Sequence, residues 1–170
     1  MRTTVMGILS ALLLMGGVAP FVIDQRAEAE TKSIEKLKSY SGPGLGEIMG
    51  IIQQHHAKLF FAGQAENWRL AQYQLDEIKE GFETAERLHP NFKTISTPLP
   101  KIIPAMMAKS LDNLETDIQQ KNREAFIKNF DAFTDACNNC HIAAKYDFIV
   151  IQRPSAPEYS NMTFDIKKTM

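Results

Sequence analysis

Apolar residues recur every three or four positions along four stretches of the chain, and this spacing constrains the fold more than any other feature of the sequence. A period of about 3.6 residues is typical of a helix with one buried face. The stretches cover residues 45–63, 68–85, 103–118 and 126–144. None of them alternates with the period of two that is typical of a half-buried strand. The sequence therefore predicts an all-α fold.

Proline and asparagine residues separate the four stretches. Pro90 disfavours a helical conformation at His89 and has no backbone N–H, so the second helix is expected to end there. The third helix is expected to begin among the prolines of 98–104, because proline is tolerated in the first turn. Asn122 is a suitable N-cap for the fourth helix. Short connections between amphipathic helices predict an antiparallel four-helix bundle over residues 44–148.

The first 29 residues have the features of an export signal peptide. Arg2 supplies the positive end, an apolar run follows over residues 5–18, and Ala27-Glu28-Ala29 offers a small-x-small cleavage site. A retained membrane anchor is the alternative, because the apolar character continues as far as Ile23. Both interpretations predict a domain outside the cytoplasm, in the periplasm, with a membrane contact only if this segment is retained.

Two further segments flank the predicted bundle. Residues 30–43 are polar and are expected to form a linker or a frayed helix. Residues 149–170 include Pro154 and Pro157 and are expected to form an irregular tail across the outside of the domain. The formal net charge of −1 provides no basic field for nucleic acid. We therefore expect no nucleic-acid partner.

The chain has only two cysteines, and they lie three positions apart in the last predicted helix. Cys137-Asn138-Asn139-Cys140-His141 matches C-x-x-C-H, the attachment signature of haem c. Two thiols on one helical turn point the same way and can form thioether links to the two vinyl groups of one haem. The adjacent histidine can then bind the iron as the proximal ligand. The motif predicts one covalent haem c at Cys137 and Cys140, with His141 as an iron ligand.

Other interpretations of this pair are weaker. A dithiol redox motif usually begins a helix after a strand, whereas this pair comes late in a helical stretch. A zinc site needs further ligands, and no other cysteine is present. Glu86-x-x-His89 matches half of a carboxylate di-iron pattern, but the chain has no second half. His89 is therefore expected to bond the terminal carbonyls of its helix.

An export signal, four helices and C-x-x-C-H at 137–141 in the last helix together resemble the cytochrome c prime and cytochrome c-556 group of bacteria. The resemblance covers residues 44–146, and its only residue-specific motif is 137–141. It implies a non-enzymatic cytochrome that serves redox partner proteins. Bundles of this group often pair through their first two helices, so a homodimer and a monomer are both open. In that group a basic residue follows the haem histidine. Lys145 is the corresponding candidate for a haem propionate, with a solvated lysine as the alternative.

In this group the residue of the first helix that faces the haem determines the function. An apolar residue leaves the iron five-coordinate and open to NO or CO, whereas methionine gives a closed electron-transfer site. Met49 lies on the first apolar stripe, and a thioether ligand stabilises ferrous iron.

His56 is the alternative distal ligand, two turns and roughly 10 Å further along the same stripe. For both Met49 and His56 the alternative to iron ligation is a structural role in the packed core. His55 is rotated by about 100° and is expected to be exposed. The sequence predicts an electron carrier with His141 and Met49 as iron ligands, and a five-coordinate gas binder or sensor is the alternative.

Overall fold

The computed structural model of the chain describes residues 25–32, 42–92, 94–157 and 161–165. The chain divides into two compact units, Met1–Ser41 and Gly42–Met170. Of the first unit only residues 25–32 are described, and they are helical. The predicted signal peptide and the linker after it therefore lie mostly outside the described residues. Among the helices in the described ranges, none has both the length and the apolar character that a membrane crossing requires.

The second unit contains four long helices. They are α1 (Leu45–Gln64), α2 (Trp68–Leu88), α3 (Leu99–Gln120) and α4 (Arg123–Ala143). Each covers its predicted apolar stretch to within one residue, and the described part of the chain contains no strand. Each helix packs against the next one, and α4 also packs against α1. This packing is compatible with a helical bundle, and the all-α prediction is confirmed.

The asparagine and proline residues between the helices determine where the helices begin and end, with one exception. Asn122 caps α4 as predicted, because its Oδ1 accepts a hydrogen bond of 3.1 Å from the backbone N–H of Ala125. The predicted end of α2 is also confirmed, since the helix stops at Leu88 before Pro90. Pro104 is the exception, because it lies inside α3 beyond the first turn. It removes one intrahelical hydrogen bond there.

The core lies between the apolar faces of the four helices, and α4 supplies its largest side chains. Phe126, Phe130 and Phe133 are fully buried and follow one another along one face of α4. Gly63 of α1 lies directly against the first of them. A Cβ atom built on Gly63 would be 2.1 Å from Cε1 of Phe126. The missing side chain therefore allows α1 and α4 to approach closely at this end.

Two histidines differ from the sequence predictions. His55 was predicted to be exposed, but its side chain is only 14% exposed. Its Nδ1 donates a hydrogen bond of 2.7 Å to Oε1 of Gln74, a buried polar residue of α2 that supplies a partner at the helix interface. His89 was predicted to bond the terminal carbonyls of α2. Its Nε2 instead donates to the carbonyl of Pro43, 2.9 Å away, and so ties the end of α2 to the start of α1.

The described residues of the segment after α4 do not only cross the outside of the unit. Residues 149–154 have no regular secondary structure. Ile149 and Ile151 nevertheless line a partly open cavity. Further along, Phe164 is buried and its ring centroid lies 5.5 Å from that of Phe61. Apolar residues of the tail thus contribute to the interior.

We expect Gly63→Ala to lower the free energy of unfolding by about 3 kcal/mol, the upper end of the usual range for overpacking. The added methyl group would overlap the ring of Phe126, which is fully buried. Urea denaturation measures the change. Gly46→Ala is the matched control, because no atom lies within 4 Å of a Cβ there. It should be neutral or stabilising by up to about 1 kcal/mol. Equal unfolding midpoints for the two variants would contradict this packing.

Candidate cofactor site

A cavity of about 410 Å³ lies where α4 ends. This volume is within the range of about 300–1,000 Å³ that is typical of small-molecule and cofactor pockets. The wall is mostly apolar and draws on all four helices, the connection between α2 and α3, and the segment after α4. Its main apolar residues are Leu45, Ile52, Phe82, Phe92, Ile95, Leu99, Ile102, Ile103, Met107, Phe133, Ile149 and Ile151.

Five residues that the sequence predicts for a haem site line this one cavity. They are Cys137, Cys140 and His141 of α4, and Met49 and His56 of α1. These residues come from opposite ends of the bundle sequence, and the packing of α4 against α1 brings them to the same space. The structure therefore brings together a cysteine pair, two imidazoles and a thioether.

The two cysteines are free thiols in the last two turns of α4. Burial raises the pKa of Cys137 to about 12, and neighbouring Cys140 adds to the effect. Burial also raises the pKa of Cys140. Dithiol redox motifs depend on a lowered thiol pKa, and the C-terminal end of a helix disfavours a thiolate. The environment therefore disfavours a thiol redox function for this pair.

The described ranges contain no group of three or more His, Cys, Asp or Glu residues that is arranged to hold a metal ion. A zinc site built from protein side chains alone needs at least three such ligands. Within the described part of the chain, Cys137, Cys140 and His141 do not belong to such a group of three ligands.

His141 is held by a hydrogen bond that sets its tautomer. Its Nδ1 lies 2.8 Å from the carbonyl oxygen of Ile149. A carbonyl can only accept, so Nδ1 carries the proton and Nε2 of the neutral ring keeps its lone pair. Metal-binding histidines in proteins are commonly fixed by a bond of this kind from the second ring nitrogen. Nε2 of His141 thus has a free lone pair that could bind a metal.

Lys145 does not line the cavity, and its side chain is exposed. Its backbone is left-handed, with a φ of 64°. The N–H of Lys145 donates to the carbonyl of Ile142, and the N–H of Tyr146 donates to that of His141, at 3.0 and 2.7 Å. This pair of bonds is the Schellman motif that ends many helices. Lys145 therefore terminates α4 just beyond His141, and its role toward a propionate stays a prediction.

His56 is a buried histidine whose Nε2 is already engaged. Nε2 lies 2.9 Å from Oγ1 of Thr134, and that hydroxyl donates its only proton to the carbonyl of Phe130. Nε2 must therefore donate to Thr134, which leaves Nδ1 without a proton. The ring centroid lies 4.5 Å from that of Phe130 and 5.7 Å from that of Phe133. Any metal bond from His56 is consequently limited to Nδ1.

Met49 is half-buried and lies beside two glycines that also line the cavity, Gly46 and Gly50. No atom lies within 4 Å of a Cβ built on either glycine. The cavity therefore reaches the backbone of α1 on both sides of Met49.

Three parts of the wall were not predicted. Met107 of α3 lies within the third apolar stretch, and a buried methionine is ordinary core filling. Phe92 and Ile95 belong to the connection before α3, and Ile149 and Ile151 belong to the tail. These four apolar residues lie in irregular segments without a helical period. Their position could not be derived from a pattern.

Comparison with known proteins gives no match to a family model, to a curated protein or to a solved structure. The function is therefore inferred from the residues of the cavity itself.

We expect the stability of the protein to fall as the pH drops from 6.5 toward 4, in part because of His56. Burial lowers the pKa of its imidazole from 6.5 to about 4. In this window the unfolded chain binds a proton that the folded chain does not bind, so stability rises with pH and is fully present above 6.5. The contribution is about 3 kcal/mol between the two limits.

The measurement is urea denaturation of the protein and of His56→Gln between pH 7.5 and 4.5. Glutamine keeps a donor for Thr134 but does not titrate, so its stability should decline less steeply as the pH falls. Other groups titrate equally in both proteins, so their effects cancel when the free energies of unfolding are subtracted at each pH. Parallel pH profiles would show that His56 is not the cause.

Proposed function

We propose that the protein is an exported, periplasmic electron carrier with one haem c. In this proposal Cys137 and Cys140 hold the haem covalently, and His141 and Met49 are the axial ligands of its iron. The observation that carries the proposal is that these four side chains, from two helices, line one apolar cavity. When bound, the haem supplies a one-electron ferric–ferrous couple. The chain itself performs no bond chemistry, so we do not propose an enzyme.

The chemistry of the donor set fits this cofactor. The thiols are free and share one helical face, and the imidazole of His141 has its Nε2 lone pair available. The wall of the cavity is mostly apolar. Low polarity and a thioether ligand both favour the ferrous state, which suits a carrier of relatively high potential.

The hydrogen bonds favour Met49 over His56 as the distal ligand. The ring of His56 is fixed by its bond to Thr134 and by two phenylalanine rings. Binding iron through Nε2 would break the bond to Thr134, at a cost of about 1–3 kcal/mol, so His56 could bind iron only through Nδ1. The thioether of Met49 has no comparable hydrogen bond to lose.

We further propose that the four helices form an antiparallel bundle of the cytochrome c prime and cytochrome c-556 type. The very short connections after α1 and α3, at 65–67 and 121–122, support antiparallel neighbours. Redox partner proteins would meet the haem edge near the end of α4. Ile142, Phe148 and Val150 support such contacts, because they are 60%, 76% and 72% exposed beside the motif.

The second candidate function is a five-coordinate haem protein that binds or senses NO or CO. It is supported by the open space beside Gly46 and Gly50 and by the incomplete burial of Met49. In this case Met49 lines the cavity without binding iron, and a gas molecule takes the free position.

We expect Met49→Leu to abolish the far-red methionine-to-iron charge-transfer band of the oxidised protein, because leucine cannot bind iron. The same change should convert ferrous iron to a form that binds CO rapidly. Absorption spectra of both oxidation states, with and without CO, provide the measurement. Met107→Leu is the matched control, since Met107 also lines the cavity but lies on α3. Its spectra should equal those of the unsubstituted protein.

If the unsubstituted protein lacks the band and takes up CO at once, the electron-carrier proposal is wrong and the gas-binding candidate is supported. If the band is lost in Met107→Leu rather than in Met49→Leu, the distal ligand has been misassigned.

We expect the protein purified from a host that matures c-type cytochromes to carry the mass of one haem. Intact-mass spectrometry under denaturing conditions tests the covalent link. The haem should be lost when both thiols are removed in Cys137→Ser/Cys140→Ser, because only these two side chains can form thioether bonds. Recovery of the bare chain mass from the unsubstituted protein would refute a haem function altogether.

A further inference from the structure

The chain after α4 turns back and runs along this helix in the opposite direction. Residue 149 meets His141, residue 151 meets Asn138, and residue 153 meets Asp131. The contacts come from every second residue, as expected for an extended segment with one side against a helix. Within residues 149–153 only Ile151 is half-buried, and the other four residues are exposed. We call residues 149–153 the strap.

Asn138 fastens the middle of the strap at two points. Its Nδ2 donates to the carbonyl of Ile151 at 2.9 Å, and its Oδ1 accepts from the N–H of Ile151 at 2.8 Å. Both backbone groups of one strap residue are therefore paired by one amide side chain. Asn138 is also the first variable position of the C-x-x-C-H motif, directly after Cys137.

Arg153 fastens the far end of the strap. Its Nε donates to Oδ1 of Asp131 at 2.8 Å, and its Nη2 pairs with the other carboxylate oxygen. The guanidinium also lies 5.5 Å from the ring centroid of Phe60. Because this ion pair is almost half exposed, it is a weaker attachment than the amide bonds of Asn138.

The near end of the strap supplies the acceptor for His141. The carbonyl of Ile149 accepts the hydrogen bond from the Nδ1–H group, and no residue of α1 to α3 makes a hydrogen bond to this imidazole in the described structure. Ile149 is two residues from Ile151, which Asn138 holds by two hydrogen bonds. These bonds therefore fix the position of the Ile149 carbonyl oxygen.

We propose that the strap is a positioning device that sets the orientation and donor strength of His141 as the iron ligand. The inference rests on the proposed function and adds to it a structural control of the haem potential. A hydrogen bond from Nδ1 raises the basicity of the ligating nitrogen and so favours ferric iron. Asn138 and Arg153 are positioning residues, because they act on the site only through the strap.

Loosening the strap should weaken the bond to Ile149, speed solvent exchange of the Nδ1 proton and raise the midpoint potential. In Asn138→Ala we expect about tenfold faster exchange, since two hydrogen bonds that hold the strap are lost. We also expect about a tenfold higher ferrous-to-ferric ratio at a fixed ambient potential, which corresponds to about 59 mV for one electron.

The experiment uses the full-length haem-loaded protein and first verifies the covalent haem by mass spectrometry. The exchange of the His141 Nδ1 proton is followed by NMR of the reduced form, and the midpoint potential is measured by redox titration. Asn139→Ala is the matched control, because Asn139 is the exposed neighbour in the same motif. Arg153→Ala, with Gln152→Ala as its control, gives a second and weaker perturbation that leaves the motif intact.

Faster exchange and a higher potential in Asn138→Ala, with Asn139→Ala unchanged, support the inference. If Asn138→Ala fails to load haem, Arg153→Ala decides by the same two measurements. A loaded Asn138→Ala or Arg153→Ala that matches its control in both measurements overturns the role of the strap and leaves the proposed function intact. Absence of haem from the unsubstituted protein overturns the proposed function, and the inference with it.

Discussion

The row of buried phenylalanines along one face of α4 is the constraint on which the packing of the unit depends. Phe126, Phe130 and Phe133 fill the interior from the end where Gly63 lets the helices meet. The next residues on the same face, Cys137 and Cys140, carry much smaller side chains. The solid core therefore stops at Phe133 and the cavity begins there. One helix face thus determines both how the four helices pack and where a ligand has room.

The polar groups around the cavity are paired within the chain before any cofactor is considered. Among the described residues, no buried side-chain nitrogen or oxygen lacks a hydrogen-bond partner. His56 is satisfied by Thr134, and His141 by the carbonyl of Ile149. Since each bond commits one ring nitrogen and frees the other, the two imidazoles have defined tautomers. The cavity therefore contains a few ring nitrogens with free lone pairs in an otherwise apolar space. A few fixed polar groups in an apolar wall are usual for a cofactor pocket.

The helices could be predicted from the sequence because each depends on a local period and on local breaks. The cysteine motif could be found for the same reason, and the apolar stripe led to Met49 and His56. The remaining features depend on partners that are distant in sequence. His55 is covered because Gln74 meets it from α2, and His89 reaches Pro43 across the start of α1. The course of the tail depends on two hydrogen bonds of the Asn138 amide. Neither the composition nor the periodicity of the sequence reveals such bonds.

The bond between His141 and Ile149 joins residues only eight positions apart, whereas Met49 lies nearly the whole length of the bundle away in sequence. The two sides of the candidate site therefore differ in contact order. The α4 side requires one helix end and one turn, and short loops of this kind close quickly. The α1 side forms only when α1 packs against α4, a contact between the two ends of the unit. Completion of the site therefore depends on this long-range contact, and its loss would leave the α4 side without an opposite wall.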